Sequence, residues 1–408
     1  GWGKTYGKQA FCSSGQALQS PISGSPNRFR MIRGNMRVLM LSKACIVGIY
    51  QPKLEAIASR GVDLTVLAPP SWRDERGVQP LERAHTQGYQ LREIPIRLNG
   101  NFHLHHYPSL PRELDAIRPQ IVHIDEEPYN LATWQALRQA RRLGAKALFF
   151  SWQNIRRAYP PPFNWGEGWT LRNADYALAG SDAAAAVLRA KGFAGPLAVI
   201  PQFGTSPELF QPAAMRPPLP FTIGYIGRIV PEKGVEILLR AAAQLEGDWR
   251  LRLVGGGSAR DEMESLARSL GIGEKVAFLG QLPSTDLPDQ YHKLDALVLP
   301  SLTRHNWKEQ FGRVLVEAMA AGVPVIGSDS GAIPGVIGDG GLIVPEGDVE
   351  ALAAALRDLR VQPARRAELA EKGRARFLAH FTHERIAEAT VAVYRELMHS
   401  AKTGAAAE

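Results

Sequence analysis

The chain has 408 residues, 45% apolar and 22% charged, which is enough for two to three domains with ordinary cores. No run approaches the ~18 consecutive apolar residues of a membrane-spanning helix, so a soluble protein is expected. The net charge of +8 is lopsided: residues 1–35 hold Lys4, Lys8, Arg28, Arg30 and Arg33 without an acid, so the rest carries only +3, and a nucleic-acid partner loses most of its support.

Residues 1–35 are rich in Gly and Ser and lack both hydrophobic periodicity and the apolar core of a secretory signal. They read as a disordered leader or tail, with a transit-like segment as the alternative and Met36 as the natural start. Two cysteines, Cys12 and Cys45, exclude a disulfide framework or a Cys-based zinc site and fit a reducing, cytoplasmic compartment.

From Met36 short apolar runs alternate with amphipathic stretches. Strands are expected at 38–41, 62–68, 121–124, 147–150, 176–179 and 197–200, with helices near 52–60, 130–143 and 182–191. Alternation of this kind predicts a parallel sheet covered on both faces. Prolines crowd the stretch after 205 and forbid a regular helix or central strand there, so 206–220 reads as a linker between a first domain, 36–205, and a second, 221–382. The alternation resumes with strands at 221–226, 251–254, 276–279, 296–299 and 323–326, and helices near 234–245, 259–270, 348–360 and 383–399. The expected fold class is α/β: two Rossmann-like, doubly wound parallel-sheet domains facing a central cleft, where ligands bind beyond the carboxyl ends of the strands.

Two clusters carry the chemistry. G-R-I-V-P-E-K-G places Arg228 and Lys233 in a loop after a strand, between Gly227 and Gly234. A guanidinium fork and a compact ammonium are complementary ways to hold a diphosphate, and an ordinary solvated loop is the bland alternative. E-Q-F-G-R-V-L-V-E holds Glu309, Gln310, Phe311, Gly312 and Glu317. Helical spacing from Phe311 to Met319 starts a helix near Gly312, whose free N–H groups favour an anion. The pair Gly255 and Gly256 follows another strand; it serves as a tight turn, or its backbone meets a donor phosphate or ribose. Asp125, Glu126 and Glu127 could be a metal triplet, but further oxygen ligands are missing from the pattern. His103, His105 and His106 have no Cys/His partner set for zinc and are placed at the border of an acceptor cleft. Arg138, Arg141, Arg142, Arg156 and Arg157 could dock on an anionic membrane surface or form a solvated face.

G-R-x-x-x-E-K-G followed by E-x-F-G-x-x-x-x-E-A-M-A-x-G-x-P-V-I resembles glycosyltransferase family 4, with L-D-A-L-V-L-P-S and G-L-I-V-P-E-G-D as further matches. The likeness is strongest over 221–350 and fainter over 36–205. It implies a GT-B fold and transfer of a sugar from a UDP- or GDP-linked donor, with retention of configuration, to a hydroxyl of a glycan, lipid or small molecule. It implies no metal or other cofactor. Arg228 and Lys233 would hold the diphosphate, Glu309 the sugar hydroxyls and Glu317 the ribose, with backbone contacts from Gly227, Gly255, Gly256, Gln310, Phe311 and Gly312. The helix near 383–399, within a segment 383–408, would cross back to the first domain. In the first domain the family's Gly-Gly loop is reduced to Gly48. Gln153 stands where many members carry a histidine beside the transferred sugar, and it cannot exchange a proton near neutral pH. Cytoplasmic residence, with peripheral contact at the inner membrane face, completes the expectation. The rivals are a nucleotide-sugar epimerase or hydrolase on the same fold and a non-catalytic nucleotide-sugar-binding protein.

Overall fold

In the strand β1 (Met36–Leu41) the last four residues are all buried, and they divide between two cores by parity. Val38 and Met40 pack on one face of a sheet, Leu39 and Leu41 on the other, as the period of two requires of a strand covered on both sides. The computed structural model describes residues 35–74, 77–213 and 220–405. The expectations for 1–34, Cys12 among them, lie outside the described residues.

The first half continues through α1 (Pro52–Ala58), β2 (Val62–Ala68), β3 (Ser71–Asp74), β4 (Gly77–Pro80), β5 (Gln90–Glu93), α2 (Leu110–Ile117) and β6 (Ile121–Ile124). It then runs through α3 (Leu131–Arg142), β7 (Lys146–Ser151), α4 (Phe163–Asn173), β8 (Tyr176–Ala179), α5 (Asp182–Ala190) and β9 (Leu197–Val199). Its parallel sheet has the order β5-β2-β1-β6-β7-β8-β9, while β3 and β4 form an antiparallel hairpin apart from it. Helix α3 buries Ala132, Ala136, Leu137 and Ala140, one stripe at helical spacing. Helix α5 starts where the Ser181 hydroxyl accepts the Ala184 N–H at 3.3 Å, an N-cap.

The second half comprises β10 (Phe221–Ile226), α6 (Val235–Ala242), β11 (Trp249–Val254), α7 (Arg260–Ser269), β12 (Val276–Gly280), α8 (Leu287–Tyr291) and β13 (Ala296–Leu299). After these come α9 (Arg313–Ala320), β14 (Val325–Ser328), α10 (Ile333–Ile337), β15 (Leu342–Val344), α11 (Val349–Val361), α12 (Pro363–His380) and α13 (His383–Ala405). Its sheet is also parallel, in the order β12-β11-β10-β13-β14-β15. In both sheets the strand order reverses beside the first strand, between β1 and β6 and between β10 and β13, and each reversal opens a crevice beyond the strand ends.

The doubly wound α/β fold class expected from the alternation is what the structure has. Elements β3 to β5, α2, α4, α8, α10, β15 and α12 were not among the expected ones. The strands β3 to β5 are four residues each and β15 is three, too short for an alternation to stand out, α8 and α10 are five residues each, and α4 carries Gly166 and Gly168 and only a weak apolar stripe.

Helix α13 packs on the first sheet, burying Ile386, Val391, Tyr394 and Leu397 in one core with Val38 and Val66. Where the chain crosses between the halves the two passages touch: the Thr205 N–H donates to the Phe381 carbonyl at 2.9 Å. Deep in the α13 interface the Tyr394 hydroxyl meets His123 Nδ1 at 2.6 Å, both residues being buried. Tyr394→Phe should lower unfolding free energy by about 1–3 kcal/mol through the stranded imidazole nitrogen, read as an earlier midpoint in chemical denaturation.

Candidate functional site

The β10–α6 connection is a tight turn ending at Gly234, whose φ of 68° is left-handed. A Cβ there would lie 1.9 Å from the Pro300 carbonyl oxygen, so only glycine lets this turn press against the end of β13. Lys233, one residue earlier, thereby reaches the β13–α9 loop, and its Nζ lies 2.5 Å from Glu309 Oε2. The Ser301 hydroxyl donates to the same oxygen at 2.9 Å, and the Trp307 ring lies 4.9 Å from the ammonium. Glu309 is held from behind as well. Its carbonyl accepts the Ala332 N–H at 3.0 Å, and a Cβ on Gly331 would strike that carbonyl at 2.2 Å. Lys233 and Glu309 are 15% and 9% exposed at the side chain. A pair this dry needs the added hydroxyl and ring contacts to offset desolvation.

Arg228 extends toward solvent, 56% exposed, with Nη2 3.7 Å from Glu232. Its backbone is anchored: its carbonyl accepts the Tyr225 hydroxyl at 2.5 Å. Burial first, and then the Glu309 charge, push the Tyr225 hydroxyl pKa up, so the phenol stays a donor. Gly227, Gly255 and Gly256 hold this loop to the neighbouring strand end. The Gly227 N–H donates to Val254, the Gly255 N–H to Gly280, and the Gly256 carbonyl accepts from Ile229.

Gly312 precedes α9 in a left-handed conformation, and the Phe311 ring sits between a tilted Trp152 at 5.6 Å and an edge-on Phe381 at 5.9 Å. Glu317 is buried; it accepts from the Tyr291 hydroxyl at 2.7 Å and from Arg313 Nε at 2.8 Å. Glu309, Gln310, Phe311 and Gly312 face Trp152 and Phe203 of the first half across a cavity of 420 Å³. A larger cavity, 580 Å³, lies beside the chain crossing and is lined by Asp182, Arg376, His380 and Phe381. Arg385 and Glu388 on its wall pair with each other, whereas Glu309, the partner of Lys233, lines the smaller one.

From the first half Trp152 of the β7–α4 loop lines this cavity with Tyr50 and Phe203, and the β6–α3 loop supports Trp152 through Glu127. The three consecutive acids take separate partners and share no centre. Asp125 accepts from Ser42 at 2.6 Å. Glu126 pairs with Lys43 and lies 3.6 Å from His105 Nε2. Burial raises the Glu126 pKa, but Lys43 and His105 outweigh it and hold the carboxyl at about 2. Glu127 accepts from the Ser151 hydroxyl and the Trp152 N–H, each at 2.7 Å. Burial dominates over those bonds and pushes its pKa up to about 7. Among the described residues no three His, Cys, Asp or Glu side chains gather as a metal centre would require.

Gln153 is buried and bonded to Lys191 and Tyr159. Its neighbour Asn154 donates to the Glu309 carbonyl at 3.0 Å. Arg157 donates to the Asn306 carbonyl at 2.6 Å, and Gln310 to the Trp152 carbonyl at 3.4 Å. Gly48 differs from the expected donor contact: its N–H donates to Glu82 at 2.6 Å, and a Cβ would strike the same carboxylate, so its amide has no hydrogen to offer a ligand. His103 packs among Tyr129, Tyr159 and Phe163, while His106 Nδ1 bonds the Leu104 carbonyl. Of the basic patch, Arg142 is paired with Asp115, while Arg141 and Arg157 bond the neutral carbonyls of Asn173 and Asn306 and keep their charge. Within the described residues no helix is long and apolar enough to cross a membrane.

The structure thus brings Lys233 and Glu309 into contact, ranges Gln310 to Gly312 beside them, buries Glu317 on α9 and leaves Arg228 exposed. Sequence reasoning missed Ser301, Trp307, Asn154 and Tyr225. The first two lie within eight residues of Glu309, and only a search for hydroxyl and ring partners along that loop could have raised them.

The family model described as Glycosyl transferases group 1 matches residues 211–376, and that described as Glycosyl transferase 4-like domain matches residues 52–202. Together they cover well over half of the chain, which belongs to the glycosyltransferases of family 4. A relative from Mycobacterium marinum, D-inositol 3-phosphate glycosyltransferase, is 32% identical over 253 residues, 58% of this chain and 53% of that one. A GDP-mannose-dependent alpha-(1-6)-phosphatidylinositol monomannoside mannosyltransferase from Mycolicibacterium smegmatis is 36% identical over 156 residues, 36% of this chain and 41% of that one. The chain thus spans about half the length of the curated relatives it matches. Among solved structures, sucrose-phosphate synthase from Thermosynechococcus elongatus superposes with a TM-score of 0.67 at 24% identity, covering 90% of this chain and 100% of that one. Anabaena HepE, solved with UDP and glucose, does so at 0.64 and 18%, covering 88% and 100%. These two likenesses establish the GT-B fold.

Gly234→Ala should cost at least about 1–2 kcal/mol from the left-handed backbone alone, with a further loss from the Pro300 collision, and should show as a lowered melting temperature. Glu127 makes stability depend on pH. The folded protein keeps this proton to about pH 7, against an ordinary value of 4.5. Its stabilising contribution is therefore complete below the ordinary value and lost as pH rises through about 7. Glu127→Gln should remove that slope, so melting curves of the two proteins recorded from about pH 5 to about pH 8 should diverge, the variant gaining relative to the parent at the alkaline end.

Proposed function

We propose that this protein is a retaining glycosyltransferase that moves a sugar from a UDP- or GDP-linked donor to a hydroxyl of a glycan, lipid or small-molecule acceptor. The observation that carries the reading is the Lys233–Glu309 pair, 2.5 Å apart, set where the second sheet reverses its strand order and facing the first half across a cavity. In this reading the donor diphosphate takes over the Lys233 ammonium and recruits Arg228, whose exposed side chain is free to swing. Glu309 then turns to the sugar hydroxyls, and Glu317 serves the ribose. The names of the two mycobacterial relatives support a hydroxyl-rich acceptor.

As the bond from the anomeric carbon to the diphosphate oxygen breaks, negative charge grows on the leaving group, and the two cations stabilise it electrostatically. The acceptor oxygen bonds the anomeric carbon from the face the diphosphate vacates. Its proton passes to a diphosphate oxygen, because Gln153 cannot serve as a base.

Calorimetric titration with UDP and GDP, alone and as sugar conjugates, tests donor binding. Lys233→Ala should cut turnover by about two orders of magnitude or more with a folded protein by melting temperature; near-parental transfer would sink the reading. The anomer released, followed by proton NMR, should match that of the donor.

A further inference from the structure

Lys191 closes α5 as its C-terminal cap and is almost dry: it and its partner Glu167 on α4 are each 8% exposed at the side chain. Its Nζ lies 2.6 Å from Glu167 Oε1 and 2.8 Å from Gln153 Oε1, and 5.1 Å from the centre of the Tyr159 ring. An ammonium can only donate. The Gln153 atom facing it must therefore be the carbonyl oxygen, which settles the amide's orientation on chemical grounds. The Gln153 NH2 is thereby turned toward Tyr159, 3.3 Å from its hydroxyl oxygen. The Tyr129 ring centre lies 4.5 Å from that of Tyr159. One Gln153 N–H thereby goes to the Tyr159 hydroxyl, and the other makes no hydrogen bond among the described residues.

Gln153 sits between Trp152, tilted against Phe311, and Asn154, bonded to the Glu309 backbone, so its backbone lies at the seam of the two halves, beside the loop that carries the proposed sugar-binding carboxylate.

We infer that Lys191 is a positioning residue: it locks Gln153 as a hydrogen-bond donor, so that the amide offers a donor and no acceptor to one oxygen of the bound sugar. Glu167 supplies the counter-charge that lets the ammonium stay buried. The wall then selects for a substrate group that accepts, such as a hydroxyl oxygen, and it cannot take a proton from the substrate. The inference rests on the proposed sugar transfer for the identity of the ligand, though not for the locking itself.

Titration calorimetry on the full chain with UDP, GDP, UDP-glucose and GDP-mannose separates the two. Lys191→Met should leave the free nucleotide's Kd within about twofold while weakening the sugar conjugate about five- to tenfold. Gln153→Leu should do the same, and the double variant no more, because the two act through one contact. Lys191→Arg, which still only donates, should recover most of the loss. Removing Lys191 alone strands the Glu167 carboxylate, so Lys191→Met is also made with Glu167→Gln to keep the fold. Additive losses in the double variant, or an unchanged conjugate Kd, would overturn the inference. If the parent binds no nucleotide, the proposed function falls instead. The locking is then decided on free protein by the Gln153 side-chain NH2 signals in 15N NMR, identified by their loss in Gln153→Leu. They should move in Lys191→Met, and signals that stay put would overturn it.

Discussion

A largely buried ammonium facing a buried carboxylate is the interaction from which the rest of the cleft takes its form. Lys233 and Glu309 come from loops that leave neighbouring strands of the second sheet, and each loop must be pressed tightly enough for the charges to meet at 2.5 Å. That requirement explains two glycines whose added Cβ would collide with backbone, Gly234 against Pro300 and Gly331 against Glu309 itself. It also explains a hydroxyl and an indole ring gathered around the pair. In the proposed reading, a donor phosphate would exchange for the carboxylate at Lys233 and sugar hydroxyls would then occupy Glu309.

The opposing wall obeys a different constraint. Its charges are almost all internally compensated: Glu126 by Lys43, Glu167 by Lys191, and Glu127 by a hydroxyl and a backbone N–H. What remains for a ligand there is the neutral donors and the aromatic faces around His103, Tyr129 and Tyr159. One half of the cleft is thus electrostatic and the other is polar but neutral, a division that suits a substrate with an anionic end and a sugar end.

Much of this was legible in the linear chain. The alternation of apolar runs with amphipathic stretches predicts two parallel sheets because buried strands must be apolar on both faces, as β1 and β10 are. The spacing in G-R-x-x-x-E-K-G and E-x-F-G-x-x-x-x-E put the cations and carboxylates in two clusters, and strand order then brings those clusters together. Contacts whose partners are remote in sequence were not legible: Asn154 to Glu309, 155 residues apart, or Tyr394 to His123, 271 apart. Nothing local in S-W-Q-N or in D-E-E says which donor each side chain will find, and Gly48 illustrates the risk, since Glu82 claims its N–H. The short hairpin and α4 escaped because brief or glycine-bearing segments carry too little periodicity.

Because α13 returns to the first sheet, the polypeptide passes between the halves twice, and the passages are stitched side by side by the bond from Thr205 to Phe381. A two-ply strap bends readily about the axis that runs across both plies and resists twisting about its own length. Any parting of the halves must therefore break the Asn154, Arg157 and Gln310 bonds while the two joined passages still tie the halves together.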